Sequence, residues 1–309
     1  MINLIGKRYL FFALSLLVII PGMILLGIYG LPLAIDFTGG SLLEVSFGSG
    51  NPPQPAEVIA VYEELGITDV QAQTTGEGTI LVRSSFLENE SLQAQIVDSM
   101  AEKFNDTVTV LRADSVGPII GREVAGRAML AVGVAAVIVV IYMTFAFRGI
   151  ENSLRYGICA IIAMIHDVAI VVSLAVVGGR FFGWDVDSLF VTALLTVIGF
   201  SVQDKIVVFD RIRENSKILK RLPFETLVNH SIIQTLQRSI NTQLMTVEFM
   251  LLALVLFGGV TLREFALILL VGLFSGTYSS IFIAAPILVV WENKEWRNWF
   301  GRGPRPASA

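Results

Sequence analysis

Residues 187–215 read DSLFVTALLTVIGFSVQDKIVVFDRIREN. From Ser188 to Phe209 the run is long and apolar enough to cross a bilayer, where about 20 residues suffice. Yet Gln203, Asp204 and Lys205 stand near its C-terminal end. With a rise of about 1.5 Å per residue, Asp204 lies about 9 Å from the basic end marked by Arg211 and Arg213. An ionisable group at that depth is costly and by default marks a functional site. Charges satisfied inside a helix bundle would leave the same trace, so residue type alone keeps both readings open.

Composition points the same way. The chain has 309 residues, 54% hydrophobic and 16% charged, with a mean hydropathy of +0.72. Soluble domains carry about 25% charged residues, so this chain reads as an integral membrane protein. Its formal net charge of −4 hides an asymmetry. Between Asp36 and Glu123 fourteen acids stand against Arg83, Lys103, Arg112 and Arg122, and the remaining segments are net basic. That split argues against nucleic-acid binding and for charge sorting across a membrane. The single Cys159 lies in an apolar run, which excludes a disulfide framework and reads as an inert small side chain.

Residues 9–31, behind Lys7 and Arg8, form a first span. The run exceeds the apolar stretch of a cleaved signal peptide and lacks a clear A-x-A, so it reads as an uncleaved anchor, kinked at Pro21. Next, IDFTGGSLLEVSF (35–47) places the turn Gly39-Gly40 before an alternating strand. Strands are expected over 41–47, 70–74, 79–83 and 107–111, and helices over 55–65 and 88–104, with a turn at 75–78. The order βαββαβ is that of a small ferredoxin-like α+β domain, one of whose sheet faces stays free for a partner. Nothing in it suggests a metal or catalytic site. Gly76 and Gly78 lack the strand–GxxxxGK–helix context of a phosphate loop.

Further spans are expected over 126–147, 153–177, 188–209, 238–257 and 264–290, six in all. The chain then divides into residues 1–34, the N-terminus with the first span; 35–123, the small domain and a linker; 124–290, spans two to six with a hydrophilic loop over 210–237; and a frayed tail, 291–309. Placing both termini inside leaves fourteen Lys and Arg inside and only Arg180 and Arg263 in the short outer loops. The positive-inside rule therefore puts the acidic domain outside the cytoplasm. Gly272 and Gly276 form a G-x-x-x-G that permits close helix contact, although generic packing accounts for it too.

Several motifs together resemble one family. TVIGFSVQDKIVVFDRIREN (196–215) is similar to the fourth span of the smaller membrane subunit in the SecD/SecF family of bacterial protein-export motors. The stretch Asp36, Phe37, Thr38, Gly39, Gly40 resembles the family's D-F-T-G-G, and SVGPIIG (115–121) its approach to the second span. His166-Asp167 matches an H-D pair in the third span, and Gln234, Thr235 and Arg238 match a Q-T-x-x-R at the fifth. Phe257–Gly259 and the run from Gly272 to Ile281, G-x-x-x-G-x-x-S-S-I, complete the likeness. Two positions depart from the pattern: Gln203 replaces an Asn, and Lys205 a Ser or Thr.

The resemblance implies a six-span membrane protein with an extracytoplasmic ferredoxin-like domain, in the bacterial cytoplasmic (inner) membrane. It implies no enzyme activity and no cofactor. The partners it implies are a SecD-like subunit, a SecYEG-type channel, exported unfolded protein and membrane lipids. It implies that the proton motive force drives late steps of export, with a proton relay of Asp204, Arg238, Asp167 and His166. Gln203, Lys205 and Glu248 stand as modulators. Lys205 either pairs with Glu248 across spans four and five or snorkels to the inner interface. By helix rise, Arg238 begins one to two turns from Asp204, and a switchable pair between them is expected.

Two other function classes compete. An intramembrane aspartyl protease built on Asp167 and Asp204 would need a proton-sharing dyad, but no G-x-G-D surrounds either acid. A proton-driven efflux transporter half of the resistance-nodulation-division type is the closer alternative, since six spans look like half of a pseudo-symmetric unit. No Walker motif is present, so ATP hydrolysis would belong to a partner.

Overall fold

A computed structural model of the chain describes residues 3–74, 78–87, 89–148, 153–243, 249–257 and 260–299. In chain order the elements are α1 (Arg8–Tyr29), α2 (Ile35–Thr38), β1 (Gly40–Phe47), α3 (Pro55–Glu64), β2 (Gln71–Thr74), β3 (Thr79–Ser84), α4 (Glu90–Phe104) and β4 (Val108–Val116). Helices α5 (Pro118–Ala146), α6 (Ser153–Phe182), α7 (Ser188–Ile218), α8 (Phe224–Gln243), α9 (Phe249–Phe257) and α10 (Val260–Ser279) follow. A π-helical turn, Ser280–Ala284, joins α10 to α11 (Ala285–Glu292). The chain forms two compact units, residues 33–131 with 185–188, and residues 1–32, 132–184 and 189–309.

In the smaller unit the sheet order is β2-β3-β1-β4, with every neighbouring pair antiparallel. Alternation along the strands sends Leu43, Val45 and Phe47 of β1 and Ile80 and Val82 of β3 to one face. There they meet Val58, Val61 and Tyr62 of α3 and Ile96 and Met100 of α4, all buried. This apolar layer holds the unit together. The last strand and the next helix both extend beyond the sequence expectation. β4 runs to Val116 and α5 starts at Pro118, so Gly117 alone separates them where a linker was expected. Proline suits a first helical position because its missing N–H would have no partner there anyway.

The motif 36–40 explains itself through contact with this junction. Gly39 has φ +75° and Gly40 φ +132°, conformations that side chains resist. A Cβ on Gly39 would lie 2.7 Å from the Pro118 Cα, and one on Gly121 2.7 Å from the Gly39 nitrogen. The D-F-T-G-G and V-G-P-x-x-G stretches are thus one packing unit. Asp36 accepts from the Ser188 backbone N–H at 3.1 Å and from its hydroxyl, and Arg83 pairs with Asp185. Thr38 Oγ1 donates to the Ala34 carbonyl, and Phe37 is buried.

In the larger unit, helix α1 runs unbroken through Pro21. Among the described residues five segments are long and apolar enough to cross a membrane: Ile5–Tyr29, Pro118–Ala146, Leu154–Phe182, Ser188–Ile218 and Leu262–Glu292. The expected span 238–257 is seen only in part, as the end of α8 and as α9. Residues 244–248, including Glu248, lie outside the described residues, as do the turn residues 75–77, Glu88, Gly258-Gly259 and the tail from 300.

The hydrophilic loop expected over 210–237 is largely helical. α7 continues to Ile218, and α8 begins at Phe224. Polar composition does not forbid a helix that buries one stripe. α8 buries Leu227, Val228, Ser231 and Ile232. Asn215 on α7 donates to Ser231 Oγ at 2.8 Å and Gln234 Oε1 at 2.9 Å, tying the two helices. Asn229 in turn accepts the otherwise unpaired N–H groups of Leu4 and Ile5.

Helix α7 buries Phe190, Leu194, Val197, Ser201, Asp204, Lys205, Val208 and Ile212. Their spacing of three and four residues makes a single inward stripe. Small residues let neighbouring helices close on that stripe. A Cβ on Gly272 would lie 2.3 Å from Val197 Cγ2 and 3.1 Å from Val171 Cγ2, and one on Gly276 3.3 Å from the Ser201 Cα. Without a hydrophobic force between helices in lipid, such close packing is what holds them.

The contact at position 272 predicts a large local cost. Gly272→Ala should lower stability by about 1–3 kcal/mol, the usual range for overpacking. Gly157→Ala, at a site with nothing within 4 Å, should be neutral or better. Unfolding in mixed micelles measures both, and equal stabilities would contradict the packing described.

Candidate functional site

Two carboxylates and one ammonium lie together inside the helices of the larger unit, each with its own partners. Asp167 of α6 is 1% exposed and Lys205 of α7 is 0% exposed. Lys205 Nζ donates to Asp167 Oδ2 at 2.7 Å. It also donates to the Ser201 carbonyl at 3.2 Å and to Ser201 Oγ. An ammonium has three hydrogens, so these three acceptors satisfy it. Lys205 and Ser201 are four residues apart on one helix, so the reach follows from the helical repeat.

Asp167 receives more than the lysine. Ser201 Oγ donates to Oδ2 at 2.5 Å and Ser279 Oγ at 2.7 Å, while Ser275 Oγ donates to Oδ1 at 2.8 Å. His166 Nδ1 stands 3.1 Å from Oδ1. A carboxylate oxygen can only accept, so the His166 proton belongs on Nδ1. Its Nε2 is buried and has no partner among the described residues. The ring stacks on Tyr278 at 6.2 Å and lines a cavity of about 190 Å³.

Asp204 is served separately. It is 8% exposed, with Ser239 Oγ of α8 donating to Oδ1 at 2.7 Å and Ser280 Oγ donating to Oδ2 at 2.8 Å. Both donors are neutral. The π-helical turn that begins at Ser280 has a local cause. Pro286 lacks an N–H, and its ring crowds the carbonyl four residues earlier, so the preceding turn widens.

The sequence-predicted residues fall out unevenly. Asp167, His166 and Lys205 share one network, and Asp204 sits beside it. Arg238 does not join them: it lies on the exposed side of α8 with no bond to Asp204, and Ser239 holds that acid instead. One residue on a helix is a rotation of about 100°, which separates the two positions. Lys205 neither snorkels nor needs an acid on the next span, because Asp167 is its partner. Gln203 faces away, exposed. The five buried serines went unassigned in the sequence, although their spacing was a usable signal: Ser275 and Ser279, like Ser201 and Lys205, are four apart. Among the described residues no group of three or more His, Cys, Asp or Glu could hold a metal ion.

Comparison with known proteins is consistent along the chain. Residues 96–294 match the family model described as protein export membrane protein SecD/SecF, C-terminal, and residues 24–50 match the SecD/SecF GG motif. The chain is 70% identical to the protein translocase subunit SecF of Anaerolinea thermophila, over 100% of both chains. It is 45% identical to that of Thermobaculum terrenum, again over 100% of both. It is 38% identical to the protein translocase subunit SecDF of Thermus thermophilus over 86% of this chain and 35% of that one. The crystal structure of SecDF, a translocon-associated membrane protein from Thermus thermophilus, superposes with a TM-score of 0.81 at 33% identity. That match covers 94% of this chain and 39% of the SecDF chain.

A buried pair of this kind predicts a non-additive mutational pattern. Asp167→Asn or Lys205→Met alone should destabilise by about 3–5 kcal/mol, because each strands an opposite charge. The double variant should recover most of that loss. A double-mutant cycle on unfolding in detergent checks it, and additive losses would show that the pair is not the interaction that matters.

Proposed function

The chain belongs to the SecD/SecF family of protein-export membrane proteins, and on that premise we propose that it is the SecF-type subunit of a Sec export motor driven by the proton motive force. Its partner is a SecD-like subunit, a reading supported by the relative in which both occur as one SecDF chain. It acts with a SecYEG-type channel on unfolded protein in the late steps of export across the bacterial cytoplasmic membrane. Six spans complete the membrane part, with both termini cytoplasmic, as the basic residues favour. The antiparallel order β2-β3-β1-β4 supports a ferredoxin-like domain on the opposite side, with a face that meets the partner or the emerging chain.

The observation that carries the proton-driven reading is the unequal treatment of two buried acids. Asp167 is tied to an ammonium and to several other donors. Asp204 holds two neutral hydroxyls. A proton arriving at Asp204 displaces no cation. Asp204 is therefore the proton-accepting group, and Asp167 with Lys205 is the fixed charge pair against which its state is felt. His166 offers a proton step to Asp167, since its Nδ1 meets the acid and its buried Nε2 has no partner among the described residues. Arg238 lies one residue from the serine that holds Asp204 and supplies the cation nearest that end of α8 in sequence.

The test is Asp204→Asn in the chain reconstituted with its SecD-like partner. Asparagine keeps the size and can still bond both serines, but it cannot ionise. The variant should fold and assemble yet export no faster with an imposed proton gradient than without one. Gradient-stimulated export by a well-folded Asp204→Asn protein would refute the reading.

A further inference from the structure

Ser279 and Ser280 are adjacent in sequence, yet each serves a different acid on a different helix. Ser279 Oγ donates to Asp167 Oδ2 at 2.7 Å, and Ser280 Oγ to Asp204 Oδ2 at 2.8 Å. Both side chains are 0% exposed, so no bulk water competes. Each hydroxyl has one proton and more than one acceptor in reach. Besides its acid, each reaches the Gly276 carbonyl, Ser279 at 3.1 Å and Ser280 at 2.8 Å. Ser280 also lies 3.1 Å from the Thr277 carbonyl. The two hydroxyls thus share an alternative acceptor.

We propose that Ser279, Ser280 and the Gly276 carbonyl form a hydroxyl bridge that reports the proton on Asp204 to the Asp167–Lys205 pair. The inference rests on the reading of Asp204 as the proton acceptor. With Asp204 ionised, Ser280 donates to it. With Asp204 protonated, the acid's own O–H donates to Ser280 Oγ, and Ser280 turns its proton to the Gly276 carbonyl. No covalent bond in the serine changes, and the only proton gained is the one on the acid. Bonds in a chain polarise one another. A Gly276 carbonyl already bonded to Ser280 draws less on the Ser279 proton, which then stays on Asp167 Oδ2. That is the oxygen Lys205 uses, so the ammonium's hold on Asp167 changes with the proton on Asp204. The ionisable groups facing the two hydroxyls are Asp204 and Lys205 from α7, Asp167 and His166 from α6, and Tyr278 from their own helix. α8 contributes Ser239, with Arg238 on its exposed side. Ser279 and Ser280 are positioning residues in this scheme.

The test uses the full chain with its SecD-like partner in lipid vesicles, read by infrared difference spectra across a pH range. The Asp204 band is assigned by its loss in Asp204→Asn, and the Asp167 band by its loss in Asp167→Asn/Lys205→Met. In the parent protein the Asp167 band should change over the same pH range as the Asp204 band. In Ser279→Ala and in Ser280→Ala the Asp204 band should still change while the Asp167 band stays still. Proton-driven export should fall by about tenfold in Ser280→Ala, within the span of typical coupling energies, and recover in Ser280→Thr. An Asp167 band that still follows Asp204 in both alanine variants overturns the bridge. If Ser280→Ala does not assemble, Ser280→Cys, similar in size with a weak donor, is read the same way. A silent Asp204 band, with gradient-stimulated export intact in Asp204→Asn, would instead remove the reading beneath the inference, and the inference with it.

Discussion

A charge placed in hydrocarbon must have its partners close by, and the Asp167–Lys205 pair sets the terms for the helices around it. Burying either group alone costs several kcal/mol, and an ion pair offsets this only when the remaining lone pairs and protons are also met. Ser201, Ser275 and Ser279 meet them for Asp167. A serine hydroxyl sits close to its own backbone, so it reaches an acid on another helix only if the helices nearly touch. Gly272 and Gly276 allow that approach: a Cβ at 272 would run into Val197 of α7 and Val171 of α6, and one at 276 would press on the Ser201 Cα. The small-residue motif and the polar cluster are therefore one arrangement seen from two sides. The glycines bring the backbones together so that the hydroxyls can do their work.

Much of the larger unit was legible in the sequence. A polar triplet in an apolar run marked α7, and its depth in that run marked Asp204 as a candidate site. Partner choice was not legible, because it depends on the rotation of each helix about its axis. For α8 that rotation was read from a start at Arg238, whereas the helix begins at Phe224. Hydropathy hid the true start, since the first turns of α8 are polar on one side and buried through Leu227, Val228 and Ile232 on the other. An error of phase of one residue was enough to put arginine where serine stands. Lys205 was misjudged for a different reason. A long basic side chain near a span's end ordinarily reaches for water, and only the position of Asp167 on α6 makes the inward path better.

The smaller unit followed local rules more closely. Strand alternation, two amphipathic helices and turn glycines gave its element order, because each signal lies within a few residues. What no local signal could carry was that Gly39 and Gly121 face each other. Two stretches about eighty residues apart in sequence (36–40 and 116–121) read as separate motifs until the backbone contact joins them. Their glycines answer to a shared requirement, the absence of a Cβ at a place where two main chains meet.

The π-helical turn at Ser280–Ala284 has a consequence for how this chain can vary in length. A π turn accommodates one residue more than the α-helical repeat would. Removing one residue there would return the segment to an ordinary helix and leave the helix beyond it in phase, because the turn has already taken up the extra residue. Removing one residue from α11 instead would turn all that follows by about 100°. Glu292, which pairs with Arg155, and Glu295, which holds both Arg8 and Tyr9, would then be carried away from those partners together. The π turn thus works as a slack link, where the last span can lose a residue without moving its end.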